Sequence, residues 1–170
     1  MVRFALTGTP GTGKTTISKH LEREVLHLSE LYSSSSDGKN SAGEWLVNID
    51  KLNKKAQNIL EDYTIIEGHF SHQMDNIDQI IVLRCDPAVL KKRLECRGYS
   101  EEKIRENLEA EAIGIIFSEA CETIKGTDLF QLDTTNLKVN EASKILNDFF
   151  NGKVKLDETI DYSERILEWY

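Results

Sequence analysis

Eight consecutive residues constrain this chain more than anything else in it: Gly8-Thr9-Pro10-Gly11-Thr12-Gly13-Lys14-Thr15. They satisfy G-x-x-x-x-G-K-[ST] at every fixed position, between an apolar run and a stretch of helical spacing. Glycines at those positions let the backbone curl so that successive N–H groups face inward, a geometry that holds phosphate oxygens. A helix opening directly behind the loop adds a field favourable to anions. Lys14 is placed to reach β- and γ-phosphates, and the Thr15 hydroxyl to ligate magnesium. Such a loop requires a strand before it and a helix after it, which fixes the local order β–loop–α.

The rest of the chain extends that order. Val2-Arg3-Phe4-Ala5-Leu6 reads as a buried strand, and Ile17, Leu21 and Val25 predict a helix from about Lys14 to Glu24. Asp50 to Leu60 has the spacing of a helix; Tyr63–Ile66, Ile80–Leu83 and Leu129–Leu132 have the apolar, β-prone character of strands buried on both faces. Asp86 caps a helix with Pro87 in its first turn and Gly98 at its end. Ser100 caps another, with Glu101 and Glu102 in its first turn, running to about Ile124. Ala142, Ile145, Leu146 and Phe149 mark a last helix. Alternating strands and helices predict a single α/β domain over residues 1–170, a three-layer sandwich around a mainly parallel sheet. The low-complexity stretch Ser33–Ser41 reads as a flexible surface loop, and the tail from Lys153 to Tyr170 as a segment that docks or stays mobile.

Composition excludes several classes of function. No apolar run reaches the roughly 18 residues that span a bilayer, and no secretory signal is visible, so a cytoplasmic (or nuclear) location is expected. Cys85, Cys96 and Cys121 form neither a disulfide framework nor a zinc constellation and read as buried, reduced thiols. A net charge of -8 disfavours strong nucleic-acid binding and suits a basic protein partner. The guanine-reading motif N-K-x-D is missing, since Asn53-Lys54-Lys55-Ala56 lacks the aspartate, and a dinucleotide fold would not need the loop lysine.

Two further groups carry chemistry. Glu67 ends the strand Tyr63–Ile66, where a carboxylate can hold magnesium and its water; His69 beyond it can orient a nucleophile, and His72 follows. Of seven arginines, Arg84, Arg93, Arg97 and Arg105 fall within 22 residues. Guanidinium forks are suited to the charge that develops when a phosphoryl group passes between polyanions. Arg97-Gly98-Tyr99, at a helix–helix joint, suits a mobile lid.

With these residues in view, the sequence resembles the adenylate kinase isoenzyme 6 family, small nucleoside-phosphate kinases and ATPases linked to ribosome assembly. The resemblance runs through Leu6–Thr16, Ile66–His69, Arg93–Tyr99 with Lys103, Asn107 and Glu111, and Asp133-Thr134-Thr135-Asn136. It implies a P-loop, nucleoside-monophosphate-kinase-like fold with a monophosphate arm over about 28–52 and a short lid over about 96–106. It implies ATP at Gly11, Gly13, Lys14, Thr15, Thr16, Arg97 and Asn136, with magnesium at Thr15 and Glu67. The catalytic set expected is Lys14, Glu67, His69, Arg93 and Arg97. The activity implied is transfer of phosphate from ATP to AMP, with ATP hydrolysis during small-subunit rRNA maturation beside a basic platform ribosomal protein. Relatives often carry aspartate where this chain has Glu67, and an acidic arm where this one is serine-rich. A kinase for another small acceptor, or a nucleotide-switched chaperone for a ribosomal protein, fits the same residues.

Overall fold

The structure, a computed structural model, describes residues 2–123, 128–156 and 159–169. In chain order the elements are β1 (Phe4–Gly8), α1 (Lys14–Ser18), β2 (Val25–His27), β3 (Ser36–Lys39), β4 (Trp45–Val47), α2 (Ile49–Ile59), β5 (Ile65–Glu67), β6 (Gln79–Arg84), α3 (Pro87–Cys96), α4 (Glu101–Ala112), α5 (Ile115–Thr123), β7 (Asp128–Asp133) and α6 (Val139–Phe150). Five strands form one sheet in the order β2-β5-β1-β6-β7. Every pair in it is parallel. The expected three-layer α/β fold is the one observed. β3 and β4 form a separate antiparallel hairpin.

Alternation along the strands divides the core between two faces. Phe4, Leu6, Ile65, Ile81 and Leu83 pack with Ile17 of α1 and Ala142, Leu146 and Phe150 of α6. Ala5, Ile80 and Val82 point the other way, against Ile116 and Ala120 of α5, and Ile66 meets Leu52 and Ala56 of α2. Leu146 is fully buried, worth roughly 1.5–3 kcal/mol of apolar transfer. α3 and α4 pack on each other through Leu90, Leu94, Ile104 and Leu108. The caps lie where expected: the Asp86 carboxylate accepts from Ala88 N at 2.8 Å, and Ser100 Oγ accepts from Lys103 N at 3.3 Å. No helix among the described residues is long and apolar enough to cross a membrane.

Several expectations are corrected. α1 is five residues long rather than eleven; the chain tightens into i→i+3 turns at His20 and Leu21 and enters β2 at Val25. Ile17, Leu21 and Val25 nevertheless touch one core, so their spacing marked a shared face and not one continuous helix. The helix expected from Ser100 to Ile124 is two, broken at Gly114 with φ +68°; Ile124 lies outside the described residues. The serine-rich stretch is not a loop throughout: Ser35 is fully buried, its carbonyl accepts from Asn48 N at 2.8 Å, and Ser36 opens β3. Only Cys85 of the three free thiols is buried; Cys96 and Cys121 are exposed.

The tail docks. A 3₁₀ helix at Ser163–Glu168 brings Arg165 to Asp86 at 2.6 Å, and Tyr162 lies with its ring 5.4 Å from the Arg84 guanidinium and its hydroxyl 3.3 Å from Thr135. Trp169 is partly exposed, while Tyr170 lies outside the described residues.

Candidate active site

Parallel order places the carboxyl ends of β1, β5 and β6 at one edge, where ligands bind in open α/β sheets. The loop from Gly8 to Gly13 leaves β1 there. Gly8 has φ +145°, and a Cβ on it would lie 2.5 Å from the Leu83 carbonyl oxygen of β6. Gly11 has φ +93°, and its Cβ would lie 2.7 Å from Leu90 Cδ1, so α3 backs directly against the loop. The turn is braced internally, Thr12 Oγ1 donating to the Thr9 carbonyl at 2.8 Å.

Lys14 Nζ donates to the carbonyls of Gly8 at 2.6 Å and Thr9 at 3.1 Å, so the ammonium lies over the mouth of the loop. Burial pushes its pKa down to about 8, against the pull of Glu67 and Glu111. Thr15 Oγ1 stands 3.3 Å from Glu67 Oε1. Glu67 itself is buried, and its other oxygen meets His27 Nδ1 at 2.7 Å. His69 is half-buried beyond it, with a buried Nδ1 that has no hydrogen-bond partner among the described residues. Burial first, then the Lys14 cation, lowers its pKa below the ordinary histidine value, so the ring is a neutral imidazole at pH 7. His72 is set apart, buried between Thr7 Oγ1 and Glu119 Oε2, each 3.1 Å away, where it ties β1 to α5.

A cleft of about 720 Å³ opens beside the loop. Gly11, Gly13 and Thr16 form one wall, Arg93, Cys96 and Arg97 of α3 and its end a second, and Thr134, Leu137 and Lys138 a third. Asn136 is exposed at the rim, and its neighbours line the cleft instead.

The four clustered arginines separate into different tasks. Arg97 is exposed at the cleft mouth, its guanidinium making no hydrogen bond to another described residue, and its charge is felt at Lys14. Arg93 is engaged within the protein: it donates to the Gly11 carbonyl at 3.4 Å and to the Thr134 carbonyl at 2.7 Å, joining two walls. Arg84 is buried and donates to Glu111 Oε1 at 2.8 Å and to Gln131 Oε1 at 2.5 Å, so it braces the core and is closed to ligands. Arg105 is exposed on α4 beside Glu109, away from the loop. Glu111, whose part the sequence left undefined, also takes Thr9 Oγ1 at 2.5 Å, anchoring the phosphate loop to α4. Its spacing of seven from Ile104 and three from Leu108 sets it on the buried face of α4, but that spacing does not say which partners a buried carboxylate meets.

Strand, glycine loop with terminal lysine, acid at the neighbouring strand end and an all-parallel sheet define a P-loop protein of the nucleoside-monophosphate-kinase-like fold. The AAA domain family model matches residues 5–114. Archaeal proteins named "Putative adenylate kinase" are similar throughout: that of Methanosarcina barkeri is 36% identical over 98% of this chain and 96% of its own length, and that of Methanocaldococcus jannaschii 34% identical over 99% and 97%. The chain belongs to this family. In fold it is similar to shikimate kinase from Acinetobacter baumannii, with a TM-score of 0.62 at 14% identity over 91% of this chain and 96% of that one.

Proposed function

We propose that the chain is an ATP- and magnesium-dependent adenylate kinase of the isoenzyme 6 type, which passes the γ-phosphoryl group of ATP to AMP and also hydrolyses ATP. The observation that carries this reading is the grouping of Lys14, the Thr15–Glu67 pair and Arg97 around one loop and one cleft. The names of the archaeal relatives support the same acceptor.

The residues present suit magnesium. Thr15 and Glu67 offer only oxygen, 3.3 Å apart, and magnesium is typically held by one or two such groups with waters and substrate phosphates supplying the rest. When bound, the ion would neutralise charge on the phosphate oxygens.

The protein's own groups do the remainder. Lys14 exchanges two neutral carbonyl partners for anionic phosphate oxygens, which adds attraction between opposite charges to bonds its ammonium already makes. Arg97 is open to solvent and can close over the transferring group as part of a lid at 96–106. Arg93 holds the loop against the Thr134 segment, so its contribution to transfer runs through the position of Gly11. Neutral His69 can accept a proton or orient water, which provides for hydrolysis when the acceptor is absent. Segment 28–52, including the β3–β4 hairpin, is the arm for AMP, and Asn136 at the rim borders the adenine of ATP. A basic ribosomal protein of the small subunit is the partner for the acidic surface.

The test is an acceptor panel with ATP labelled in the γ position. Label should appear in ADP when AMP is added, and Lys14→Met should lower the rate by at least about 10²-fold without unfolding the chain. Label passing to another acceptor in preference to AMP would assign a different kinase. Release of inorganic phosphate alone, unaffected by AMP, would leave an ATPase. His69→Ala should reduce hydrolysis more than transfer; equal losses would remove the water-orienting role.

A further inference from the structure

Glu67 has two oxygens and, among the described residues, two hydrogen-bond partners, one for each. Oε1 faces the Thr15 hydroxyl at 3.3 Å, and Oε2 faces His27 Nδ1 at 2.7 Å. The second contact follows from strand register: β2 pairs parallel with β5, and His27 stands opposite Glu67 at the carboxyl ends of both strands. An ionised carboxylate only accepts, so Nδ1 carries the hydrogen and the bond is charge-assisted. A glutamate side chain has three rotatable bonds, so burial fixes its stem while the orientation of the carboxylate plane depends on its partners.

We propose that His27 is a positioning residue: its Nδ1–H fixes Oε2 of Glu67 so that Oε1 is presented toward Thr15, and it thereby sets how much magnesium strengthens the binding of ATP. This rests on the assignment of the metal to Thr15 and Glu67. Loss of such an outer partner typically costs 10–100-fold in metal affinity. Val25 and Leu26, the remainder of β2, are apolar residues that a three-residue edge strand uses for packing, and they offer no substitute donor.

The experiment measures the affinity of a fluorescent ATP analogue with magnesium and with EDTA, for the wild-type chain and for His27→Ala, His27→Asn and Glu67→Gln. The quantity read is the magnesium gain, the ratio of the EDTA Kd to the magnesium Kd. His27→Ala should lower the gain about tenfold or more. His27→Asn should restore most of it, because the amide N–H can donate from nearly the place of Nδ1–H. Glu67→Gln should abolish it. If Glu67→Gln abolishes the gain and His27→Ala keeps it, the positioning role is overturned and the metal assignment stands. If both Kd values of His27→Ala worsen in the same proportion, or asparagine does no better than alanine, His27 is a structural cross-strand partner and the proposal falls. A gain retained in Glu67→Gln overturns the metal assignment itself, and with it the role of His27.

Discussion

The buried pair between Arg84 and Glu111 gives the most quantitative expectation. Both side chains are almost fully enclosed, at 3% and 2% exposure, with Nε and Oε1 2.8 Å apart. Glu111→Gln retains the shape and an acceptor oxygen for Arg84 Nε and Cys85 N; it removes the negative charge and puts an amide NH2 in place of Oε2, so that the Thr9 hydroxyl must accept where it had donated. The remaining hydrogen-bond and ring partners of the guanidinium are neutral, namely Gln131 Oε1, the Ile160 and Glu111 carbonyls and the Tyr162 ring, and the exposed Asp161 is a further carboxylate whose titration feels its charge. Leaving one partner of a buried pair uncompensated costs about 3–5 kcal/mol, and the conserved shape of glutamine places the expectation near 3. A domain is stable by roughly 5–15 kcal/mol, so the loss is a fifth or more of the total. At about 2–4 °C per kcal/mol for a chain of this length, Tm should fall by roughly 6–12 °C. Urea unfolding should show a lower midpoint with an unchanged slope. Raising salt should not repair the loss, since a pair shut away from solvent is barely screened. A change below about 1 kcal/mol would refute the reasoning, because the remaining neighbours would then suffice to hold the Arg84 charge.

The lysine of the loop makes a pH prediction. Burial lowers Lys14 to about 8, whereas an unfolded lysine titrates near 10.4, so the buried ammonium opposes folding below pH 8 and that penalty is relieved as pH rises between these values. Bound polyphosphate restores the proton, so ATP binding at pH 9 should take up close to one proton; calorimetry in buffers of different ionisation enthalpy reads it, and zero uptake would contradict the assignment. Arg97→Lys should lower kcat clearly while changing ATP affinity modestly, because lysine lacks the planar fork; a collapse of ATP binding with kcat intact would make Arg97 a ground-state ligand. A complex with the basic ribosomal protein should weaken as salt rises and should respond to a nonhydrolysable ATP analogue. No binding at low salt in any nucleotide state would remove the assembly role.

What could be read from the residues depended on whether a pattern reported burial. β1, β5, β6 and β7 were legible because each is an apolar run bounded by polar or glycine residues, and α3 because Asp86, Pro87 and Gly98 mark both ends. β2 was not, since three residues with only Leu26 buried carry too little period. β3 was hidden because Ser36-Asp37-Gly38-Lys39 is polar and mostly exposed, and its pairing with Trp45–Val47 comes from the turn between them. In the site, the loop and Glu67 could be placed from motif and strand end, whereas sequence counts cations without knowing their depth. It grouped Arg84 with Arg97, and only the structure separates a buried brace from an exposed cleft residue. His27 and Glu111 acquire their parts through partners 40 and 102 residues away, which no local pattern encodes.

The strand order β2-β5-β1-β6-β7 also has a consequence for how the chain is made. The strand carrying the phosphate loop is the middle one, yet both of its neighbours come much later, at Ile65–Glu67 and Gln79–Arg84. At about 5–20 residues per second, β1 waits on the order of 4–15 s on the ribosome before β6 has even been synthesised. Until then Phe4, Ala5 and Leu6 have a strand partner on one side at most, in β5, and the glycine loop has neither the β6 backbone nor α3 to shape it. Nucleotide therefore meets no formed loop on a short nascent chain. A premature stop before Arg84 leaves an apolar segment that cannot be rescued by ATP, while stops beyond α3 leave chains on which ATP can begin to favour the folded state.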